Sequence, residues 1–277
     1  MTPMRHLLAL LLSLLATPAS AGTLISTAFQ GRDMLIYFPA RLAPPETRAL
    51  VIVLHGGFGN AERIAAGANE SALNMDAQAD ADGFIVAYLN GTQVARLLGA
   101  DKRGWNAGGG CCGLPAKSNI DDVGYITAAA AALESRYAIT PARIYGIGHS
   151  NGAMMTQRLF CETTLFTAAI AISGPLNTAD ATCPVARGRR LLAIHGADDQ
   201  NVPIAGGEGT KGYAHIPFNS EAHTQQVYAA SGATYILDIV PGADHNLDDI
   251  DAALRQNEGA ALQAKAAAFF GLTPPAP

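Results

Sequence analysis

Residues 148–152 read GHSNG, and they stand between a strand-like apolar run at 143–147 and a helix-like run at 153–160. A glycine on each side of a central serine leaves room for a sharp turn from strand to helix, which exposes the hydroxyl. The amides that begin the following helix then point at the reacting group. The pentapeptide therefore predicts a nucleophile elbow centred on Ser150 and indicates a hydrolytic enzyme.

Strand-like and helix-like runs alternate around this turn. The apolar runs lie at 35–38, 50–54, 84–88, 143–147, 168–172, 191–195 and 235–240. The helix-like stretches lie at 122–137, 153–160, 221–231 and 258–270. This alternation predicts an α/β fold in which a mostly parallel sheet is covered by helices on both faces. The closely spaced early runs, at 24–29 and 35–38, predict an antiparallel edge pair.

The chain begins with a pattern typical of a secretory signal peptide at 1–21. A basic start precedes an apolar stretch at 7–16 and an A-x-A cleavage pattern at 19–21. The apolar stretch is shorter than the roughly 20 residues that a membrane anchor needs. We therefore expect export with cleavage, one α/β domain over 22–272 and an unstructured tail at 273–277.

The charge balance argues against a nucleic acid partner. The 277 residues include 18 Lys and Arg against 23 Asp and Glu, with a formal net charge of −5 and no basic run. A nucleic-acid-binding domain needs a basic patch to neutralise phosphates.

Four cysteines in an exported chain favour disulfides over metal ligands. Cys161 ends the helix after the serine, and Cys183 lies in the loop before the next strand, so we predict a bridge between them. Adjacent Cys111 and Cys112 could form a vicinal bridge or remain reduced. No C-x-x-C pattern or paired histidines accompany them, so no metal site is expected.

A serine nucleophile needs a histidine to accept its proton and a carboxylate to orient that histidine. Beyond the strand at 191–194 the chain reads HGADDQNVP at 195–203, and beyond the strand at 235–240 it reads PGADH at 241–245. Both segments follow strand ends, where the working groups of an open parallel sheet collect.

Among the histidines of the chain, His245 is the best candidate for the base. His55 and His195 precede glycines at strand ends, which favours buried hydrogen-bonding supports. His149 is expected to point away from the serine. If His245 is unperturbed, activity should fall on acidification around pH 6.5.

Two neighbouring carboxylates, Asp198 and Asp199, compete for the acid role. Asp244 is also close, but an immediate sequence neighbour is poorly placed to reach the ring of His245. The residues alone leave the choice between Asp198 and Asp199 open.

The oxyanion of the tetrahedral intermediate needs two preorganised backbone donors. One should be the amide of Asn151, directly after the nucleophile. The other should come from the glycine-rich segment HGGFG at 55–59, which follows the strand at 50–54. We prefer Gly57 as this donor, with Phe58 as the alternative.

Six segments together resemble a known group of enzymes. They are LHGG at 54–57, WNAGGGCCG at 105–113, DDVGYI at 121–126, GHSNG at 148–152, HGADDQNVP at 195–203 and the histidine after PG at 241–242. The pattern is similar to the secreted esterases grouped with polyhydroxybutyrate depolymerases and feruloyl esterases, within the α/β-hydrolase superfamily. The resemblance covers nearly all of the chain after the signal peptide. It implies an α/β-hydrolase fold, and alignment with the family's acid loop places the acid at Asp199.

The resemblance implies a secreted serine carboxylesterase that forms an acyl-enzyme and needs no metal or organic cofactor. Feruloyl or acetyl esters of plant polysaccharide are the expected substrates, and polyhydroxyalkanoate or its oligomers are the alternative. Gly57 stands where many polymer depolymerases carry cysteine, which favours the first class. A peptidase or a catalytically silent binding protein on the same fold is less favoured.

Two aromatic residues, Trp105 and Phe58, are expected to line the substrate cleft, because glycine-rich loops are often exposed and functional. Leu247 stands where the family often has tryptophan. Asp121 and Asp122 are expected to cap and charge-stabilise the helix that follows them.

Overall fold

The strands around the GHSNG turn form one sheet in the computed structural model, which describes residues 21–95, 101–178 and 182–272. The strands in these residues are β1 (Thr23–Phe29), β2 (Arg32–Phe38), β3 (Leu50–Leu54), β4 (Ile85–Leu89), β5 (Thr92–Gln93), β6 (Arg103–Gly104), β7 (Ile144–His149), β8 (Ala168–Ile172), β9 (Arg190–Gly196) and β10 (Thr234–Val240). The helices are α1 (Ala61–Ala65), α2 (Asp76–Asp82), α3 (Leu114–Lys117), α4 (Asp122–Tyr137), α5 (Asn151–Glu162), α6 (Glu221–Ser231), α7 (Leu247–Glu258) and α8 (Leu262–Phe270).

The main sheet has the strand order β1-β2-β4-β3-β7-β8-β9-β10. From β4 to β10 along this order every neighbouring pair is parallel. β1 and β2 are antiparallel to each other, and β2 is antiparallel to β4. The mostly parallel sheet and its antiparallel edge pair are therefore confirmed. Strands β5 and β6 form a separate two-stranded ribbon.

The sheet is buried on both faces because alternate residues of its central strands pack into two hydrophobic clusters. In β3, Leu50, Ile52 and Leu54 belong to one cluster, and Val51 and Val53 belong to the other. Helices α4, α5 and α6 cover the first face, and α1, α2, α7 and α8 cover the second. This layering explains why β3 reads as an uninterrupted apolar run.

The predicted helix over 258–270 is confirmed as α8, which begins at Leu262, four residues later than predicted. Residues 247–270 form two helices, because Gly259 adopts a left-handed conformation (φ 73°) that ends α7. The amide of Leu262, which begins α8, donates to the Asp251 carboxylate at 2.7 Å. Sequence reasoning missed α7, although Asn246 is a good cap whose side chain accepts from the amide of Asp248.

Asp121 caps α4 as expected, since its side chain accepts from the amide of Gly124 at 2.8 Å. Asp122 lies in the first turn of the same helix, but it is also buried. Its carboxylate pairs with Arg32 at 2.5 Å and accepts from the amide of Asn106 at 2.6 Å. Asp122 therefore also ties the helix to the loop after β6.

The predicted bridge between Cys161 and Cys183 is confirmed, with an S–S distance of 2.07 Å. Cys111 and Cys112 also form a disulfide, across a cis peptide bond. The expected signal peptide, apart from residue 21, and the expected tail at 273–277 lie outside the described residues. Within the described ranges, none of the helices is both long and apolar enough to cross a membrane.

Candidate active site

The turn after β7 has the sharp geometry that the sequence predicts. Ser150 has φ 53° and ψ −119°, and α5 begins at the next residue. Each flanking glycine is required because a backbone carbonyl oxygen lies where a side chain would begin. A Cβ on Gly148 would lie 2.4 Å from the Gly152 carbonyl oxygen, and one on Gly152 would lie 2.2 Å from that of Leu54. The turn thus holds the serine at the carboxyl edge of the sheet.

Three side chains from distant segments meet at this turn. His245 Nε2 lies 2.9 Å from Ser150 Oγ, and His245 Nδ1 lies 2.7 Å from Asp199 Oδ2. The other Asp199 oxygen accepts the amides of Asn201 and Val202 at 2.9 and 2.8 Å. Because Nδ1 faces a carboxylate, it carries a proton and leaves Nε2 to accept from the serine.

The competing carboxylates point elsewhere. Asp198 is exposed. Asp244 accepts the amides of Gln200 and His245 at 3.0 and 2.8 Å and pairs with Lys211 at 3.2 Å. Asp199 is therefore the carboxylate that the structure brings to the ring of His245.

A second buried histidine, His195, contacts the carboxylate of Asp199. His195 Nε2 lies 3.2 Å from Asp199 Oδ2 and 2.9 Å from the Val202 carbonyl, and Nδ1 lies 2.7 Å from Glu221. Burial acts to lower the pKa of His195, but the hydrogen bonds with Asp199 and Glu221 raise it to about 9. Burial acts to raise the pKa of Asp199, but the bonds with His195 and His245 hold it well below its ordinary value. The predicted role of His195 as a buried support is confirmed.

The two residues predicted to supply the oxyanion donors lie close together beside the turn. A Cβ built on Gly57 would lie 3.7 Å from the Cβ of Asn151. The Phe58 amide already donates to the Arg103 carbonyl at 2.7 Å, whereas the amides of Gly57 and Asn151 have no partner among the described residues. Of the two alternatives in the glycine-rich loop, the geometry favours Gly57.

Trp105 does not line the cleft, so that prediction is wrong. Its side chain is 0% exposed, and its indole Nε1 donates to the His55 carbonyl at 2.9 Å. The side chain of Asn151 exchanges two hydrogen bonds with the backbone of Trp105, at 2.7 and 3.1 Å. Because the indole N–H has a carbonyl partner, the ring can be fully buried. Trp105 therefore belongs to the hydrophobic core beneath the site.

His55 is a buried support, as predicted. Its Nε2 accepts the amide of Gly91 at 3.1 Å, which leaves Nδ1 to donate to the Gly56 carbonyl at 2.7 Å. A ring with one accepting and one donating nitrogen is neutral, and burial, which lowers its pKa, favours that form.

A cleft of about 700 Å³ opens over the serine. Phe58 and Tyr213 contribute to its wall, with ring centroids 5.1 Å apart, and Tyr213 is 84% exposed. Phe58 thus lies where the sequence places it, whereas Tyr213 was missed because it belongs to a polar loop with no motif. Met154, Ile216 and Phe218 add further apolar surface to the wall of the cleft.

Nowhere in the described ranges do three or more His, Cys, Asp or Glu residues cluster as a metal ion would require.

Two residues beside the serine were also missed. His149 was expected to point away, yet its ring lies 5.0 Å from that of His245, centroid to centroid, and its Nδ1 contacts Glu70 at 2.6 Å. Glu70 belongs to no motif. Its one sequence signal is that it is the sole charged residue between Arg63 and Asp76.

Comparison with solved structures identifies the class of fold. An S-formylglutathione hydrolase from Agrobacterium tumefaciens aligns with a TM-score of 0.61 at 12% identity, over 92% of this chain and 96% of that chain. The poly(3-hydroxybutyrate) depolymerase LpqC from Bordetella parapertussis aligns with a TM-score of 0.55 at 15% identity, over 91% and 95%. At such low sequence identity, the comparison establishes the fold and nothing more. The chain has the α/β-hydrolase fold.

Curated relatives share sequence with the chain as well, although no family model matches it. The chain is 31% identical to "Putative esterase NocK" of Nocardia uniformis subsp. tsuyamanensis over 169 residues, which are 61% of this chain and 45% of that protein. It is 29% identical to "Feruloyl esterase B" of Piromyces equi over 182 residues, 64% of this chain and 31% of that protein. The chain thus spans less than half the length of either relative. It resembles esterases of the α/β-hydrolase superfamily.

Proposed function

We propose that the chain is a serine carboxylesterase that works through an acyl-enzyme. The observation that carries the proposal is the hydrogen-bonded series Ser150, His245 and Asp199 beside the free amides of Gly57 and Asn151. This set supplies a nucleophile, a base, an orienting carboxylate and two oxyanion donors.

In the first half of the reaction, Ser150 Oγ attacks the ester carbonyl carbon while His245 Nε2 takes the hydroxyl proton. The carbonyl electrons move to the oxygen, which the amides of Gly57 and Asn151 stabilise. The intermediate then collapses, the bond to the alcohol oxygen breaks, and His245 gives its proton to the departing alcohol. Asp199 keeps the ring oriented and stabilises its charged form.

In the second half, water attacks the acyl-enzyme while His245 again accepts a proton. The second intermediate collapses, the proton passes to Ser150 Oγ, and the free acid leaves. The low pKa of Asp199 keeps that carboxylate ionised beside the imidazolium that forms in each half.

The proposed substrates are feruloyl or acetyl esters of plant polysaccharide. Phe58 and Tyr213 give the cleft an aromatic surface on which a hydroxycinnamoyl ring can pack. Both side chains lie in loops, whereas Leu247, which stands where the resembled family often has tryptophan, begins α7. The similarity to feruloyl esterase B supports the same choice.

Export of the protein is part of the proposal. Its two disulfides suit an oxidising compartment, where such bonds form and persist.

A hydrolysis panel tests the substrate class. Methyl ferulate, acetylated xylan and emulsified polyhydroxybutyrate should be compared at equal enzyme concentration, with the Ser150→Ala variant as the blank. We expect turnover of the first two substrates to exceed turnover of the polyester. Preferential release of hydroxybutyrate oligomers would instead assign the chain to polyester hydrolysis.

Replacing Tyr213 by alanine should lower kcat/KM for methyl ferulate about 2- to 13-fold, since an aromatic contact contributes roughly 0.5–1.5 kcal/mol. Hydrolysis of p-nitrophenyl acetate should fall less, because its acyl group has no ring to pack on the aromatic surface. Steady-state kinetics on both esters measure the difference. Equal losses on both would refute a role for Tyr213 in aromatic recognition.

The acidic limb of kcat/KM should lie below pH 6.5, the ordinary pKa of histidine. Burial lowers the pKa of His245, the hydrogen bond with Asp199 opposes this shift, and the positive charges of His149 and His195 add to it. Only neutral His245 accepts the serine proton, so activity is present above its pKa and is lost as pH falls through it. A pH profile with p-nitrophenyl acetate tests this, and a midpoint at or above 6.5 would contradict it.

A further inference from the structure

His149 forms two hydrogen bonds that the reaction scheme above does not use. Its Nδ1 lies 2.6 Å from Glu70 Oε1, and its Nε2 lies 2.9 Å from the backbone carbonyl of His245. The side chains of His149 and Glu70 are each 8% exposed. The pair thus lies inside the protein, between the end of β7, which directly precedes Ser150, and the loop that carries His245.

Glu70 also holds the glycine-rich loop after β3. Both of its oxygens accept the amide of Gly56, at 3.0 and 3.1 Å. A Cβ on Gly56 would lie 2.6 Å from Oε1, and one on Gly59 would lie 3.0 Å from Oε2. The loop is therefore folded around the carboxylate, and it presents the free amide of Gly57 one residue further on.

The partners of His149 define its charge. Both ring nitrogens face oxygen acceptors, so both donate protons and the ring is an imidazolium. Burial acts to lower its pKa, but the pairing with Glu70 raises it, and the same pairing lowers the pKa of Glu70. The other titratable groups that act on the pair are His55, beside Glu70, and His245 and Asp199, beside His149.

We propose that Glu70 and His149 are positioning residues that fix the oxyanion loop and His245 relative to Ser150 and keep a positive charge beside the ring of His245. The inference rests on the proposed function of Ser150. The bridge joins the glycine-rich loop, through the amide of Gly56, to the loop that carries His245, through the carbonyl of that residue. Neither side chain is within hydrogen-bonding distance of Ser150 Oγ among the described contacts, so both act through the groups that they hold.

The test compares His149→Gln and Glu70→Gln with the wild-type chain on p-nitrophenyl acetate. A displaced oxyanion donor costs about 10²- to 10³-fold in kcat. For a loosened loop we expect a loss of about 10- to 100-fold in kcat, with KM changed less than about 3-fold. Rates should be normalised to active sites titrated with a fluorophosphonate, so that misfolded protein does not count.

The acidic limb of kcat/KM gives the second readout. Removing the charge of His149, directly or by neutralising Glu70, should move the limb to higher pH, because His245 then binds its proton more readily. His223→Gln and Glu46→Gln make the same chemical changes at exposed positions and should leave kcat and the limb unchanged. Wild-type kcat in the test variants, or a lower kcat with an unmoved limb, would overturn the proposal.

A measurement on the intact chain covers the case in which both variants fail to fold. ¹⁵N NMR of the histidine rings at pH 7 should show His149 protonated on both nitrogens, and a neutral tautomer would overturn the proposal. Failure of the proposed function is distinguishable from these outcomes, since it would appear as wild-type turnover that does not depend on Ser150.

Discussion

Replacing Ser150 by alanine is expected to abolish ester hydrolysis, with kcat for p-nitrophenyl acetate falling by at least about 10⁴-fold. The hydroxyl is the proposed nucleophile, and its hydrogen-bond partner in the described structure is His245 Nε2 at 2.9 Å. Removing one oxygen from the cleft leaves the packing of the turn unchanged. Circular dichroism and thermal unfolding should therefore match the wild-type chain, while a spectrophotometric assay shows the loss.

Ser173→Ala is a matched control for this variant. Ser173 also follows a strand end with φ 53°, and its buried hydroxyl has no hydrogen-bond partner among the described atoms. The same substitution at a residue with the same φ should change kcat little. Retained turnover in Ser150→Ala, or equal losses in the two variants, would remove Ser150 from the nucleophile role.

Asp199→Asn is expected to lower kcat about 10³- to 10⁴-fold with little change in KM. An amide can present its NH₂ group to His245 Nδ1, which favours the tautomer that cannot accept the serine proton. The substitution also removes the charge that stabilises the imidazolium. Steady-state kinetics with p-nitrophenyl acetate measure the effect.

Asp198→Asn provides the adjacent comparison, because it makes the same change one residue away on an exposed side chain. Its kcat should stay within a few-fold of the wild-type value, as for most surface substitutions. The opposite ranking of the two variants would move the acid role to Asp198.

The site residues that were predicted correctly share one property. Each lies in a short segment whose conformation is determined by its own amino-acid sequence. The glycines around Ser150 require the sharp turn. Asp199 and His245 follow strands that must be parallel, so their loops meet at one edge of the sheet. The choice between Asp198 and Asp199 still needed the family resemblance, because both are carboxylates in the same loop.

The residues that were missed or wrongly placed depend on contacts between distant parts of the chain. Glu70 meets His149 across 79 positions. Trp105 has glycine-rich neighbours that are typical of an exposed loop, yet the partner for its indole is a carbonyl 50 residues earlier. Neither contact leaves a periodic or spaced pattern in the sequence.

The features of the fold that could be predicted are also those with a local signal in the sequence. Continuous apolar runs predict buried parallel strands, since burial on both faces leaves no polar alternation. The order of β4 and β3 within the sheet depends on which strands pair, and it was not predicted. The boundary between α7 and α8 had a local signal in Gly259, a residue that commonly ends helices.

Covalent labelling followed by peptide mass spectrometry can show whether Ser150 is the activated nucleophile. The chain should be treated with a fluorophosphonate, which reacts with an activated serine, and the modified residue should be located after proteolysis. We expect a single adduct on Ser150 and loss of labelling when His245 is replaced by glutamine. An adduct on another residue, or an active esterase that remains unlabelled at Ser150, would contradict it.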